Sequence, residues 1–539
     1  MRFLNKQRSL VPKARFGAWQ ETASPPRLSF VSTREGNSML APQPLISEDE
    51  RERGLQTIVY EAAFSNTTAA LTTGVILTTF ALHLGADNFL IGLLASLPFL
   101  TQLAQLPAIA LVERLRARKA IAVWSSVFGR MMLGTMALLP FAGGPAPLLL
   151  VAMTLVLCLL AAVGGCAWNS WMRDFVPDER MGRIFAQRTT WATITTVVAG
   201  IGAALCLEYT QEGSHQRDLA FSALYLAGCV AGIASAAIVA RIPEPSMARA
   251  GPRTTRLWEL MREPASDPNF RKLLGFLASW QFAVNLATPF FTVYLVRQLD
   301  YSTPVVMALA IASQLANAFA LRSWGVLSDR FSNKSVLLVA APAYIACIAA
   351  MAVASQIDHD GAQLIFLIGL HLLMGSSVAG VTLATTNIGL KLSPRGMASS
   401  YIASTAVVTA LAAGAAPVIG GLFADFFANR RFELVIRWTN PEGVFAFLPL
   451  KLGNWDFYFL ISGVLGLYAL HRLGPVSEAG EIAQRDMVRH VLVQARSSIH
   501  AFSTVTGFRA LTEMPGSIVR EFRVRRRFAR RHALRMFGE

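Results

Sequence analysis

Apolar runs of about 20 residues with almost no charge recur along this chain, and no other feature of it restricts folding so tightly. A helix of that length covers a hydrocarbon core of roughly 30 Å. Twelve runs lie between residues 57 and 474: 57–84, 88–111, 120–140, 146–172, 189–207, 219–240, 273–296, 302–327, 335–357, 361–390, 397–424 and 456–473. Only 15% of the residues are charged, against about 25% in a soluble domain. The charges gather at the two ends and in the short gaps. One soluble core could not bury twelve such helices. The sequence predicts an all-α polytopic membrane protein with twelve transmembrane helices.

The gaps then assign sides. If successive gaps alternate across the membrane, the side holding both tails carries 42 of the 49 Lys and Arg residues. The other side carries six, and Arg130 lies inside a run. The positive-inside rule places the richer side in the cytoplasm. Both termini are then cytoplasmic, which needs an even number of spans. The net charge of +16 is a topology signal, and no nucleic acid is needed to explain it. Cys158, Cys166, Cys206, Cys229 and Cys347 all fall inside apolar runs, without CxxC or metal spacing. No HExxH, GxSxG or P-loop pattern occurs. The sequence therefore proposes no enzyme, no cofactor and no metal site.

Five segments follow. A basic tail of low periodicity (1–56) precedes a six-run block (57–240), a basic cytoplasmic linker (241–272), a second six-run block (273–474) and a second basic tail (475–539). The first tail reads as disordered cytoplasmic chain, although Arg2, Lys6, Arg8, Lys13 and Arg15 also fit an organelle-targeting segment. In the last tail Val519, Phe522, Ala529, Ala533 and Phe537 fall near one helical face among arginines. That pattern is either an amphipathic helix on anionic lipid or a solvated basic tail. The two blocks are a repeat. NSWMRDFVPDERMGRIFA (169–186) matches NIGLKLSPRGMASSYIA (387–403), aligning Asn169 with Asn387 and Arg173 with Lys391 at an offset of 218. VERLRARKAIAVW (112–124) matches LSDRFSNKSVLLV (327–339), aligning Glu113-Arg114 with Asp329-Arg330 and Lys119 with Lys334. Parallel six-span repeats joined by a long loop give two bundles related by an axis along the membrane normal.

Gly325-x-x-x-Asp329-Arg330-x-x-x-Lys334 resembles the loop motif between the second and third helices of each half in the major facilitator superfamily. The first-half copy keeps the acid-then-base order in Glu113 and Arg114 but has Ile109 at the glycine position. The resemblance covers about 57–474. It implies a secondary transporter that moves a small solute by rocker-switch alternating access. It also implies a cytoplasmic gate built from Glu113, Arg114, Lys119, Arg173, Gly325, Asp329, Arg330, Lys334 and Arg395. Exposed ion pairs are each worth little, so several together can bias such a switch without locking it. The plainer alternative is that these cations only hold their loops inside. In run eleven, Gly414-x-x-Pro417-x-x-Gly420-Gly421 marks a hinge or a packing seam.

Polar groups inside a bilayer are expensive and face a cavity or a partner. The candidates for solute binding are Asn66, Gln102, Arg130, Gln281, Asn285, Gln314 and His371, each inside a run. In the resembled family, runs one, two, seven and eight commonly line the cavity. Arg130 offers five donors in a fork that suits carboxylate or phosphate; the alternative is a structural arginine bonded to carbonyls and amides. His371 either serves the solute or a proton, or is a hydrogen-bonded histidine of the core. The amides either line a cavity or join helices. Glu61, near the inner start of run one, is the coupling candidate, with an interfacial pair to a cytosolic arginine as the alternative. The outer gap 425–455 holds two β-prone segments around Asn440-Pro441-Glu442-Gly443. That pattern predicts a β-hairpin that could cap the outer mouth.

The expected partners are a small-molecule solute, a proton or counter-ion, and membrane lipids. The expected setting is a monomer in a bacterial inner membrane. Two other readings keep the fold: a non-transporting scaffold or assembly factor working through its basic tails, and a lipid transporter.

Overall fold

The computed structural model describes residues 40–491 except 45, 212, 248–256, 395–397, 429, 441–442 and 482–484. Arg395, the amphipathic segment expected at 519–537 and most of the N-terminal tail lie outside the described residues.

The first half contains α1 (Glu48–Thr72), α2 (Val75–His83), α3 (Asn88–Leu100), α4 (Gln105–Leu115), α5 (Arg118–Met136), α6 (Ala146–Phe175), α7 (Asp178–Glu208) and α8 (His215–Val239). The linker carries α9 (Leu257–Ser266). The second half contains α10 (Pro268–Ala287), α11 (Phe291–Arg297), α12 (Thr303–Arg330), α13 (Asn333–Ala354), α14 (Asp360–Lys391), α15 (Ala398–Phe427) and α16 (Asn454–Leu473). Between α15 and α16 stand β1 (Arg431–Asn440) and β2 (Gly443–Gly453). These two strands pair antiparallel from Arg431↔Gly453 to Asn440↔Gly443, with an irregularity between Leu434 and Ile436.

Among the described residues, ten helices are long and apolar enough to cross a membrane. The first and last apolar runs are helical too, but α1 opens on Glu48, Asp49 and Glu50, and α16 carries Asp456, His471 and Arg472. Helix α1 begins before its apolar run because Ser47 caps it. The Glu50 backbone N–H donates to Ser47 Oγ at 3.3 Å, and the Ser47 N–H donates to the Glu50 carboxylate at 3.0 Å. This reciprocal box satisfies donors that the first turn cannot pair internally. The box also holds the Glu50 carboxyl below its usual pKa.

Two helical rods are interrupted at matching places. Gly74 adopts φ +60° between α1 and α2, a conformation that side chains disfavour. A 3-10 turn containing Pro289 separates α10 from α11, where proline removes a helix hydrogen bond. Buried aromatic side chains fill both halves: Phe80, Phe221 and Tyr225 in the first, and Phe276, Phe290, Tyr294 and Tyr458 in the second.

The halves meet where α3 packs on α15 and α7 on α12. The α3–α15 seam runs through the glycine-rich stretch of α15. A Cβ at Gly92 would overlap the Pro417 carbonyl, and one at Gly421 would overlap the Asn88 carbonyl. Side chains of ordinary size would hold these backbones apart. Hydrogen bonds join the halves at the end remote from α9. Asn88 Nδ2 donates to Asp425 Oδ1 at 2.8 Å, Arg297 Nη1 to Asn88 Oδ1 at 3.2 Å, and Arg297 Nη2 to the Ala86 carbonyl at 3.1 Å. Nearby, Arg217 Nη2 donates to Thr303 Oγ1 at 2.9 Å.

Candidate functional site

A cavity of about 220 Å³ opens among α1, α5, α6, α7 and α8. Helical periodicity assembles its walls. Glu61 and Ser65 lie one turn apart on α1, Ser126 and Arg130 one turn apart on α5, and Leu157, Ala161 and Trp168 recur on one face of α6. Gly129, Gly164 and Gly165 leave the space that larger side chains would fill. Helix α7 adds Arg188, and α8 adds Ser235.

The charged groups meet inside. Only 7% of the Glu61 side chain is exposed. Its Oε1 accepts from Ser235 Oγ at 2.9 Å, and its Oε2 accepts from Arg188 Nη2 at 3.1 Å. The Arg188 guanidinium also lies 5.8 Å from the centre of the Trp168 ring. Arg130 reaches the same cavity by crossing α8 at Gly232, where a Cβ would stand 2.8 Å from Arg130 Nε. The Nε atoms of Arg130 and Arg188 are both buried and have no hydrogen-bond partner among the described residues.

Of the residues expected to bind solute, only Arg130 lines this cavity, beside the coupling candidate Glu61. Asn66 donates to the carbonyl of Ala62 at 2.8 Å. Gln102 and Gln105 bond to each other. Asn285 donates to the Gln281 carbonyl at 2.8 Å and to its side chain at 3.2 Å. His371 is buried, with Nδ1 2.8 Å from the Leu367 carbonyl. Gln314 is exposed on α12. Most of these polar groups are thus satisfied within one helix. Arg188, Trp168 and Ser235 complete the cavity.

The loop-motif residues separate into two kinds. Glu113, Arg114, Asp329 and Arg330 are exposed, and the Arg330 guanidinium sits 5.3 Å from the centre of the Phe331 ring. Arg173 Nη1 lies 3.9 Å from Met181 Sδ. The Cβ position of Gly325 meets no atom within 4 Å among the described residues. Lys119 and Lys334, in contrast, are buried at helix starts.

Each of those helix starts faces a buried glutamate. Glu244 accepts the backbone N–H of Arg118 at 2.8 Å and of Lys119 at 3.1 Å. Glu478 accepts those of Asn333 at 3.3 Å and Lys334 at 2.7 Å. A carboxylate there satisfies free amide donors and opposes the positive helix end. Cations complete both anchors. Arg118 contacts Glu244 at 3.3 Å and Asp174 at 2.5 Å, and Lys391 contacts Glu478 at 3.0 Å. Lys334 bonds Glu481 at 2.8 Å and holds that carboxyl below its usual pKa.

A family model described as Major Facilitator Superfamily matches residues 61–417. The chain belongs to the Major Facilitator Superfamily. That stretch contains Glu61, Arg130, Arg188, Ser235 and both loop motifs, so the cavity and the anchored helix starts lie within the family core. No curated protein matches the chain by sequence. Solved superfamily structures share its fold. The nucleoside transporter NupG superposes with a TM-score of 0.58 at 11% identity, over 78% of this chain and 99% of that one. A D-xylose-proton symporter gives 0.59 at 13% identity, over 80% and 99%. The inward open xylose transporter XylE from E. coli gives 0.54 at 12% identity, over 82% and 99%. The chain thus has the superfamily fold, and its neighbours are transporters of different solutes.

Proposed function

We propose that this superfamily member is a secondary transporter. It carries a small solute across the cytoplasmic membrane of a bacterium, as a monomer, by alternating access between its two halves. It has twelve spans and cytoplasmic termini: the ten long apolar helices, the α1–α2 rod and α16. The end joined by Asn88, Asp425 and Arg297 is the outer end, and the structure represents an inward-facing state. The observation that carries this reading is the group of the buried Glu61 and the half-buried Arg130 and Arg188 around a cavity. A charge inside a membrane-spanning helix is costly and faces a partner or a cavity, and a bundle core needs none of these three for packing.

Glu61 is the coupling group. Protonation removes its charge and weakens its hold on Arg188, which frees that guanidinium for the solute. One fold relative is described as a proton symporter, which fits this role. No observation among the described residues favours the scaffold or lipid readings, and most of the two basic tails that motivate the scaffold lies outside those residues.

The test is uptake into proteoliposomes from a panel of labelled nucleosides, sugars, organic acids and phosphate. The reading expects saturable uptake of one class that an inward proton gradient accelerates. In Glu61→Gln the acceleration disappears. If a monodisperse preparation moves none of the panel, transport is contradicted. Uptake indifferent to the gradient in both proteins removes Glu61 from coupling.

A further inference from the structure

The transport reading leaves the solute open, and the charge balance of the cavity narrows it. Two guanidinium groups and one carboxylate share the space, an excess of one positive charge. Both Glu61 oxygens are already engaged, with Ser235 at 2.9 Å and Arg188 at 3.1 Å. The Nε–H groups of Arg130 and Arg188 have no acceptor among the described residues, although both atoms are buried. An unmade hydrogen bond to a buried charged group costs about 1–3 kcal/mol or more. A structural arginine would be expected to spend its donors on carbonyls, as Arg118 does with Ser170 and Pro245.

We infer that this cavity is an anion site, which holds the carboxylate or phosphoryl group of a small solute between Arg130 and Arg188. The inference rests on the transport reading and names its substrate class. A guanidinium presents Nε–H and one Nη–H in parallel, the arrangement that a carboxylate or phosphate accepts as a pair of bonds. Ser125 and Ser126 line the same space with hydroxyl groups. Leu157, Leu160 and Ala161 supply an apolar wall for the rest of the molecule. A volume of about 220 Å³ admits a small organic acid. The bound anion cancels the excess charge, and it competes with Glu61 for Arg188. Proton uptake by Glu61 therefore tightens anion binding.

The test is thermal unfolding of the full-length purified protein in chloride-free buffer. The probes are acetate, benzoate and inorganic phosphate, with uridine and D-xylose as neutral solutes. At least one anion is expected to raise the midpoint saturably, and neither neutral solute does so. The comparison of benzoate and acetate with phosphate separates the carboxylate and phosphoryl sources. The half-saturating concentration should rise at least about tenfold in Arg188→Gln and in Arg130→Gln, and fall about tenfold in Glu61→Gln, equivalent to about 1.4 kcal/mol each way. Arg188 is 28% exposed at its side chain, so its variant tests the site even if Arg130→Gln does not fold. An anion effect unchanged in Arg188→Gln overturns the assignment, as does the absence of any anion effect. A neutral solute whose effect depends on Arg188 also overturns it while leaving the transport reading intact. Failure of every solute in the uptake panel sinks that reading instead.

Discussion

Arg130 depends on a residue with no side chain. Gly232 lets the guanidinium cross α8, and a Cβ there would stand 2.8 Å from Arg130 Nε and closer still to its methylenes. Gly232→Ala should therefore destabilise the protein by about 1–3 kcal/mol through overpacking and abolish solute binding without changing any charge. Adding Arg130→Ala should recover much of the stability but none of the binding, a non-additive pair. Thermal midpoints and uptake for the two singles and the double check this. Additive losses would show that the two residues do not share the space. At this scale the sequence was partly legible. Arg130 and Glu61 stand out because a charge inside an apolar run has few bland explanations. Arg188 does not, because it sits one position before the fifth run, on the loop side of that boundary. Helix α7 begins at Asp178, so Arg188 lies well inside the helix. Asn66, Asn285 and His371 stand out equally in sequence, yet each has a carbonyl acceptor one turn back.

The elements repeat, and so do their anchors. Glu244 and Glu478 each hold the start of a helix that follows a charged turn. Glu478→Gln should cost about 1.5–3 kcal/mol, because charged hydrogen bonds to two amides, Asn333 and Lys391 weaken together. Glu244→Gln should cost a similar amount in the other half. Thermal unfolding of both variants checks this, and a change under about 0.5 kcal/mol in either would deny the anchor role. The correspondence of the two anchored helix starts was legible from Lys119 and Lys334. The glutamates were hidden for a physical reason. The 425–455 segment, which folds as β1 and β2, lengthens the second half, so the spacing of Glu244 and Glu478 no longer matches the loop offset near 216. Their acceptor role depends on contacts more than 100 residues away, to which local periodicity is blind.

At the scale of the molecule, the asymmetry between the two ends is the main clue to a cycle. One end is joined by Asn88, Asp425 and Arg297 and by the close α3–α15 seam. At the other, Glu113, Arg114, Asp329 and Arg330 are exposed, and Gly325 has room for a Cβ. In the proposed cycle that room closes when the halves rock. A large side chain at 325 would then be tolerated in the present state and not in the opposite one. Gly325→Leu should leave stability within about 0.5 kcal/mol, as for a surface change, while stopping uptake. A normal uptake rate in this variant would place Gly325 outside the gate.

The most direct test of alternating access measures both ends in one experiment. Spin labels at Leu115 and Val326 report the end near α9, and labels at Tyr209 and Asp300 report the other; all four residues are exposed. Distances between the labels are measured in proteoliposomes with and without the solute identified by uptake. The account predicts that solute shortens the first distance distribution and lengthens the second, with Glu61→Gln altering the balance between them. Two distributions that stay fixed, or that move together in the presence of a transported solute, would contradict it.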